Sequence, residues 1–427
     1  MQVFVIIKSK LFILLLLILA IYLYICLKQK QKMDLLFDKS QKKINTVPLV
    51  FKRYLYNRIN FNHRLISIRG ARGTGKTTLL LQMGATLKKT RALYVALDDL
   101  FFTENSLYSL ADQFSKTGGE LLLLDEVHKY PNWSREIKLI YDDFTDLQVV
   151  FTSSSVLNIY RGESDLSRRA SSYILHEMSF REYLDFYYKL TFPPLSLDDI
   201  VKEHEAISLE LLGRFKPFKY FPGYLKHGSY PYFEGDEDDY YQKMLNTVNL
   251  VLDIDLPAIQ NIDYENIAKF KRLLHVLATN VPYTPNISGL SEKIKLNRNA
   301  LVQAIQLLGK AELIYTVYKQ NRSISSLNKP DKIWLHNTNL NYALGDKFPE
   351  SGNVRETFFI SQLSLDHRVS LPEKGDFWVD ERYVFEVGGK NKTLKQIQGI
   401  SNAYLAKDYM ETGALQSIPL WLFGFLY

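Results

Sequence analysis

The N-terminal third of the chain alternates short apolar stretches with polar or glycine-rich turns. Four stretches have the length and character of strands, at residues 64–69, 93–97, 120–126 and 147–151. After Lys76, leucine and methionine recur at helical spacing, which predicts a helix. The stretch at 120–126 is apolar without alternation and favours a strand buried on both faces, as in parallel sheets. The pattern therefore predicts an α/β fold with a parallel sheet and flanking helices.

The C-terminal half has a different order of elements. Apolar residues at helical spacing predict helices at 267–279, 287–296 and 297–309, and residues 312–318 then have the character of a strand. Three helices followed by a strand are the layout of a winged helix-turn-helix. We therefore expect a winged-helix domain in this region.

The first residues form an apolar run that would suit a membrane helix. Residues 11–27 are apolar throughout, which is about the length that spans a bilayer. No small-residue cleavage site follows, and the excess of lysines after the run favours an uncleaved inner-membrane anchor with the large domain in the cytoplasm. The alternative is that Met33 is the natural start and that residues 1–32 precede the protein. The sequence leaves both open.

Length and composition limit the class of protein. A chain of 427 residues usually forms two or three domains, and 46% hydrophobic with 23% charged residues excludes long disorder. A formal charge of +7 favours phosphate-bearing partners without choosing among nucleotide, nucleic acid and lipid. The single cysteine, Cys26, excludes an internal disulfide, and no Cys/His cluster has metal-ligand spacing. These features fit a reducing, cytoplasmic location.

A glycine-rich sequence joins the first predicted strand to the first predicted helix. Residues 70–77 have the spacing of a phosphate-binding loop, whose glycines aim backbone N–H groups at phosphates. Lys76 would pair with the β- and γ-phosphates, and Thr77 would ligate Mg²⁺. The candidate nucleotide contacts are Gly70, Arg72, Gly73, Thr74, Gly75, Lys76, Thr77 and Thr78. The alternative is a glycine-rich turn without this function.

Polar residues end the next strands of the predicted sheet. Asp125 would hold magnesium through water, and Glu126 would orient or deprotonate the water that attacks the γ-phosphate, unless both acids simply cap a strand end. Ser154 is placed to touch the γ-phosphate, although serines also make turns and caps. Arg169, with Arg168 as second choice, is the candidate arginine finger for this or a neighbouring subunit. A solvated basic loop explains both arginines equally well.

These motifs resemble those of prokaryotic AAA-type ATPases that carry a C-terminal DUF4143 domain. The matches are the phosphate loop, the Leu-Asp-Glu-x-His-x-x-Pro-x-Trp run at 124–133, the Thr-Ser-Ser-Ser strand end and the Leu-Ser-Arg-Arg run at 166–169. Ser167 stands where the family often has glycine, which leaves the register of the arginine finger open. The resemblance implies Mg²⁺-dependent binding and hydrolysis of ATP. The implied domains are an AAA-type P-loop NTPase at 44–190, a helical connector at 191–262, a winged helix at 263–322 and an α+β restriction-endonuclease-like domain at 323–427.

The last of these domains resembles the core of PD-(D/E)xK nucleases. Residues 353–359 open a helix, and 375–379 with 383–387 form a predicted hairpin. The metal ligands that the resemblance implies are Glu356, Asp376 and Glu386. Gly388 replaces the expected lysine, and Lys390 lies about 7 Å further along a strand. We expect the domain to be inactive as a nuclease and to serve as a structural or binding module.

The third helix of the predicted winged helix would be the one to enter a DNA major groove. The side chains near base edges would be Asn297, Arg298, Asn299 and Gln303. This helix carries little positive charge beyond Arg298 and Lys310, whereas phosphate contacts supply most nonspecific affinity. We therefore prefer a protein-contact module, with DNA binding as the alternative.

The sequence favours one function and leaves two others open. The first is an ATP-driven switch that passes motion to its C-terminal domains and acts on a protein partner or within a homo-oligomer. The second is an ATP-dependent nucleic-acid enzyme, a nuclease or helicase. The run at 125–128 resembles a helicase box, but Pro131 and Trp133 follow it and no second motor domain is seen. The third is a nucleotide-binding adaptor that hardly hydrolyses.

Overall fold

The computed structural model describes residues 2–87, 91–154, 166–257, 262–280, 282–319, 329–345 and 349–427, with only part of the side chains in the first helix. The strands of the first sheet are β1 (Leu65–Gly70), β2 (Ala92–Ala96), β3 (Leu121–Asp125), β4 (Gln148–Ser154) and β5 (Ser171–Ile174). Their order is β2-β3-β4-β1-β5, and all neighbours run parallel. The predicted strands are confirmed, and β5 is an addition.

Helices cover both faces of this sheet. The helices are α2 (Leu55–Arg58), which precedes β1, α3 (Lys76–Thr86) on one face, and α4 (Leu107–Lys116) with α5 (Trp133–Asp143) on the other. In β3, Leu121 and Leu123 join the core under the first face, and Leu122 and Leu124 join the core under the second. Burial on both faces explains the continuous apolar run. The predicted α/β fold with a parallel sheet is confirmed.

The first helix, α1 (Gln2–Thr46), joins the sheet through its C-terminal turns. Leu36 is buried, and Ser40 Oγ accepts a 2.8 Å hydrogen bond from the backbone N–H of Tyr94 in β2. In the described ranges, no helix combines the length and the apolar character needed to cross a membrane. The predicted transmembrane anchor at 11–27, and with it the membrane tether, is therefore wrong. The apolar run reaches only the lower limit of a spanning length, with lysines on both sides.

A helical region follows the sheet. Its helices are α6 (Phe180–Tyr188), α7 (Leu197–Leu212), α8 (Pro217–His227) and α9 (Glu237–Leu250), the last continued by a π-helical turn at Val251–Asp255. α6 begins with a capping box, in which Ser179 and Glu182 exchange side-chain to backbone hydrogen bonds. The predicted helical connector coincides with most of this region.

The next region contains the elements expected of a winged helix. They are α10 (Tyr264–Ala278), α11 (Ile287–Ile294) and α12 (Arg298–Lys310), followed by the antiparallel pair β6 (Ile314–Val317) and β7 (Lys332–Leu335). Asn297 caps α12 by accepting a 2.9 Å hydrogen bond from the N–H of Ala300. Asn297, Arg298 and Asn299 are exposed at the start of this helix. The predicted helices and first strand are confirmed, whereas DNA binding stays a prediction.

A second sheet closes the chain. Before it come α13 (Thr338–Leu344) and α14 (Ser351–Leu363), and its strands are β8 (Val369–Ser370), β9 (Phe377–Val379), β10 (Tyr383–Gly388), β11 (Ala403–Lys407) and β12 (Ser417–Pro419). The order is β12-β11-β10-β9-β8. β10 pairs in parallel with β11 and antiparallel with β9, so the predicted hairpin is confirmed.

Aromatic side chains join the C-terminal segment to α6. The ring of Phe425 lies edge-on to that of Phe180 at a centroid distance of 5.9 Å, and the carbonyl of Phe425 accepts a 2.8 Å hydrogen bond from the N–H of Leu195. Phe221 lies between Phe180 and Phe358, at centroid distances of 5.2 and 4.9 Å. The predicted boundary between residues 190 and 191 therefore does not separate two hydrophobic cores.

Candidate nucleotide-binding site

The loop after β1 has the conformation that phosphate binding requires. Gly73 and Gly75 have φ angles of 83° and 95°, in the left-handed region that favours glycine. Gly73 also has no room for a side chain, because an added Cβ would lie 2.8 Å from the ring of Tyr232. α3 begins at Lys76, so the N–H groups of its first turn point back into the loop. The predicted order of strand, loop and helix is confirmed.

The Lys76 amine is positioned by the loop itself. Its Nζ donates 2.8 Å hydrogen bonds to the carbonyl oxygens of Gly70 and Ala71, and the residue is 6% exposed. An ammonium group has three donors, so one remains for a phosphate oxygen. Burial lowers the pKa of Lys76, and nearby carboxylates, Glu126 foremost, oppose that shift.

Asp125 lies at the end of β3, beside the loop. Its Oδ2 accepts hydrogen bonds from Thr77 Oγ1 at 2.7 Å and from the Tyr94 hydroxyl at 2.9 Å. Its Oδ1 accepts a further hydrogen bond from the hydroxyl of Thr152. Burial, followed by the charge of Asp125, raises the pKa of Tyr94, so its hydroxyl remains a donor. A carboxylate beside a hydroxyl is a ligand pair that suits Mg²⁺.

The structure thus brings Thr77 and Asp125, the two predicted magnesium ligands, into contact. Tyr94 and Thr152, which orient the carboxylate, are absent from the sequence prediction. Thr152 is the first residue of the polar Thr-Ser-Ser-Ser strand end, so the sequence does carry a signal for Thr152. Tyr94 lies within an apolar strand and carries no such signal.

We expect Thr152→Val to disturb the carboxylate of Asp125 and the backbone of Glu126 at once. Thr152 Oγ1 donates to Asp125 and accepts the backbone N–H of Glu126 at 3.1 Å, and a valine of similar shape does neither. Leaving buried polar groups unpaired costs about 1–3 kcal/mol each, which urea unfolding would show as lower stability. The matched control is Thr103→Val at an exposed threonine, which should change stability little. Equal stabilities of the two variants would contradict this role.

Glu126 lies beside two cations and a buried imidazole, whose pKa burial lowers. Its Oε2 lies 3.3 Å from Lys129 Nζ, 3.6 Å from His128 Nε2 and 3.9 Å from a guanidinium nitrogen of Arg72. Among the described residues none of these groups makes a well-aligned hydrogen bond to this oxygen, so it can accept one from water. The backbone of Glu126 is left-handed, with φ of 54°. That conformation costs a non-glycine residue about 1–2 kcal/mol and is concentrated at functional sites.

Arg72 connects the loop to the π-helical turn. Its guanidinium donates to both carboxylate oxygens of Asp255, at 2.7 and 2.8 Å. Such bidentate pairs fix geometry as well as adding energy. Arg72, a predicted nucleotide contact, is therefore engaged by a residue 183 positions away. No local pattern marks Asp255 for this role.

Ser154 ends β4 directly beside the loop. In the register of β1 and β4 it pairs with Gly70, and its buried hydroxyl has no partner in the part of the chain that the structure describes. Thr74 uses its hydroxyl within the loop, 2.9 Å from the carbonyl oxygen of Ala71, whereas Thr78 is exposed. The hydroxyl groups of Ser154 and Thr78 are thus available to a ligand, whereas Thr74 can offer only its backbone N–H. These three assignments stay predictions.

The candidate arginine finger lies away from the phosphate-binding loop. Arg169 donates to both carboxylate oxygens of Asp142, at 3.0 and 3.2 Å, near the end of α5, and Arg168 beside it is exposed. α5 connects β3 to β4, which run parallel in the sheet. The helix therefore returns the chain from the carboxyl edge of the sheet, where the loop lies, to the opposite edge, where β4 begins. Arg169 therefore does not face the site of its own chain, and a role in a neighbouring subunit stays a prediction. Residues 161–165 lie outside the described residues.

Segments of the C-terminal half cover the loop. The Tyr232 ring lies over Gly73, and Pro231 lies close to Gly75. Glu312, shortly after α12, lies near enough to Lys76 for its charge to oppose the fall in the pKa of that amine. The sequence pattern assigns none of these three residues to the site.

A buried polar cluster joins β5 to the segment after β7. Glu177 Oε1 lies 2.8 Å from His336 Nδ1 and accepts a 3.0 Å hydrogen bond from Asn337 Nδ2. Within the described ranges, His176, Glu177 and His336 lie close enough to hold a metal ion. Burial opposes the charge of Glu177, but His336 outweighs it and lowers the pKa of Glu177 to about 2. The cluster therefore already balances its charges as a Glu177–His336 ion pair.

The acids predicted from the nuclease resemblance lie on neighbouring elements. Glu356 belongs to α14 and Glu386 to β10, and burial, with the charge of Asp376 next, raises the pKa of Glu356 to about 7. The amine paired with Glu386 is Lys392 rather than Lys390. In the described part of the chain, the carboxylate oxygens of these acids do not all lie close enough to one another to hold a single metal ion. A nuclease role stays a prediction.

Comparisons with known proteins indicate which families this chain is similar to. Residues 62–184 match an AAA domain family, AAA_14, and residues 219–351 match a domain of unknown function, DUF8612. The predicted DUF4143 domain is therefore wrong for this C-terminal region. An uncharacterized protein of Methanocaldococcus jannaschii, MJ1637, is 26% identical over 408 residues, covering 83% of this chain and 85% of its own length.

Among solved structures, AMPPCP-bound DnaA from Aquifex aeolicus is 18% identical, with a TM-score of 0.25, over 60% of this chain and 84% of its own. C. elegans PCH-2 is 14% identical, with a TM-score of 0.25, over 65% and 68%. These scores are too low to relate the whole molecules, so the AAA domain match, the parallel sheet and the loop carry the assignment. The N-terminal part of this chain has the fold of an AAA-type P-loop NTPase.

Proposed function

We propose that this chain binds Mg²⁺–ATP through residues 70–78 and hydrolyses it. The observation that carries the proposal is the 2.7 Å hydrogen bond between Thr77 Oγ1 and Asp125 Oδ2. It sets a hydroxyl and a carboxylate side by side at the N-terminus of α3, where backbone N–H groups favour phosphate. A glycine-rich turn without function would not need this partner on β3.

The protein groups divide the reaction between them. Loop N–H groups and the remaining Lys76 donor bind phosphate oxygens, and Glu126 takes a proton from the water that attacks the γ-phosphorus. The bond from that phosphorus to the bridging oxygen breaks, which releases ADP and phosphate. Thr77 and Asp125 would hold Mg²⁺, which neutralises charge on the phosphate oxygens. Ser154 is placed to contact the γ-phosphate or the water.

Coupling to the C-terminal half is part of the proposal. Arg72 is bound to Asp255, and Gly73 lies under Tyr232, so a nucleotide that reshapes the loop must shift these contacts. Packed interfaces respond by moving as units. The nucleotide state would thus be passed to the region at 219–351.

Lys76→Ala tests the binding step. The variant loses the donor left free by Gly70 and Ala71, and a charge-assisted hydrogen bond is worth about 1.5–3 kcal/mol. The Kd for Mg²⁺–ATP should rise by about 10- to 100-fold in a fluorescent-nucleotide titration. Lys116→Ala, at an exposed lysine on α4, serves as control and should leave the Kd unchanged. Equal affinity in wild type and Lys76→Ala would refute the proposed site.

A further inference from the structure

Asp255 is a buried carboxylate close to the candidate site. It is 2% exposed and ends the π-helical turn that continues α9. Its Oδ2 accepts a 2.7 Å hydrogen bond from Arg72 Nε, and its Oδ1 accepts a 2.8 Å hydrogen bond from Arg72 Nη2. Because Asp255 is shielded from water, its attraction for the guanidinium is weakly screened. The position of the Arg72 side chain is therefore set by a residue outside the phosphate-binding loop.

Arg72 also lies beside Glu126, the proposed base. The nitrogen that donates to Asp255 Oδ1, Nη2, lies 3.9 Å from Glu126 Oε2, which is too far for a hydrogen bond. Glu126 Oε2 is itself shut off from bulk solvent and makes no hydrogen bond within the part of the chain that the structure describes. The guanidinium thus lies between two carboxylates and is bonded to Asp255 alone.

Lys129 is held by another acid in a similar way. Its Nζ lies 3.3 Å from Glu126 Oε2 but donates a 2.8 Å hydrogen bond to Asp98 Oδ2. His128 lies between the two carboxylates, with Nε2 3.6 Å from Glu126 Oε2 and 4.0 Å from Asp255 Oδ1. Both cations beside Glu126 therefore make their shorter contact with a different carboxylate.

We propose that Asp255 is a positioning residue for ATP hydrolysis, which holds Arg72 off Glu126 and so leaves Glu126 Oε2 free to take the proton of the attacking water. The inference rests on the proposed function and deepens it. Without the charge of Asp255, the guanidinium would move to Glu126, and a charge-assisted hydrogen bond there would occupy the oxygen that the water needs.

Asp255 lies within residues 219–351 and outside the segment that matches the AAA domain. The AAA-type domain thus does not contain every residue that its own hydrolysis requires. Hydrolysis instead depends on where the following region places the turn at Val251–Asp255. A movement of this turn would stop hydrolysis without displacing the nucleotide.

Asp255→Asn tests the role, because asparagine keeps the shape of the side chain and removes its charge. The kcat for Mg²⁺–ATP should fall about 10- to 100-fold, the factor that one charge-assisted hydrogen bond represents. The Kd for Mg²⁺–ATP should not rise, since the loop N–H groups and Lys76 are unchanged.

The matched control is Asp366→Asn. Both oxygens of Asp366 also accept hydrogen bonds from an arginine, Arg58, at 3.0 and 2.8 Å, but this pair is exposed. The control variant should hydrolyse ATP at the wild-type rate. A difference between Asp255→Asn and Asp366→Asn would then reflect the place of the lost charge rather than the chemical change.

A second substitution separates positioning from a general loss of structure. The double variant Arg72→Met with Asp255→Asn removes both charges of the pair, so no buried charge is left without its partner. No guanidinium then remains to occupy Glu126, and kcat at saturating Mg²⁺–ATP should recover most of the loss seen in Asp255→Asn. The Kd of this double variant should rise, because Arg72 is itself a predicted nucleotide contact.

Three results would overturn the positioning role while wild-type hydrolysis leaves the proposed function standing. The first is a wild-type kcat in Asp255→Asn. The second is a Kd that rises in Asp255→Asn together with the fall in kcat, and the third is a double variant as slow as Asp255→Asn. A wild-type protein that does not hydrolyse Mg²⁺–ATP would instead end the proposed hydrolysis, and this role with it.

Discussion

Glu126→Gln should slow ATP hydrolysis by about 10²–10⁴-fold, because an amide cannot accept the proton of the attacking water. Nucleotide binding should persist and become somewhat tighter. The charge of this carboxylate partly neutralises Arg72 and Lys129, and its removal would leave both cations more attractive to phosphate. Phosphate release at saturating Mg²⁺–ATP measures the rate, and a nucleotide titration measures the affinity.

The control for this experiment is Glu120→Gln, at the residue just before β3 and at the other end of the strand from the site. It makes the same chemical change on the same segment and should hydrolyse ATP at the wild-type rate. Should Glu126→Gln also release phosphate at that rate, Glu126 would not be the base. A low rate in all three proteins would favour a nucleotide-binding adaptor.

Arg53→Ala should destabilise the protein by about 3–5 kcal/mol, the usual cost of leaving a buried charge without its partner. Arg53 Nε lies 3.0 Å from Glu182 Oε1, and the two side chains are 5% and 1% exposed. The guanidinium also donates to the carbonyl oxygens of His176 and Thr74, so one side chain links α6 to the phosphate loop. Urea unfolding of the full chain would measure the loss.

Two further variants separate the buried charge from the general effect of losing an arginine. Arg368→Ala removes a guanidinium that is 77% exposed and paired with Glu381, and should cost less than about 1 kcal/mol. The double variant Arg53→Met with Glu182→Gln removes both charges, keeps an acceptor for the N–H groups of Tyr54 and Ser179, and should recover much of the stability lost in Arg53→Ala. A stability of Arg53→Ala within 1 kcal/mol of wild type would contradict this account.

The sequence predicts the parts of the fold that repeat a local pattern. β3 is found because burial on both faces makes it apolar throughout, and α3 because its leucines recur at helical spacing. β5 reads Ser-Ser-Tyr-Ile and lies at the edge of the sheet, so burial leaves little mark on it. At 11–27 the local pattern misleads in the other direction. Hydropathy alone predicts a membrane helix there, and the described structure does not support one.

The residues of the site divide in the same way, into those that a local motif locates and those that only tertiary packing brings together. Lys76, Thr77 and Asp125 belong to motifs in which chemistry fixes the spacing, so the sequence locates them. Asp255 and Tyr232 contact the loop from elements far along the chain, and these contacts exist only after the helices have packed. No periodicity or motif predicts such contacts, whereas the spacing of the loop residues predicts the loop itself.

The aromatic contact between Phe180 and Phe425 bears on how the protein is made. The first sheet leaves the ribosome long before Phe425, which arrives after tens of seconds at about 5–20 residues per second. During that interval Phe180 lacks the ring of Phe425, and Phe221 lacks that of Phe358 until it too is made. The nascent chain would therefore expose an apolar surface at α6, and we expect its yield in cells to depend on chaperones that shield it until translation ends.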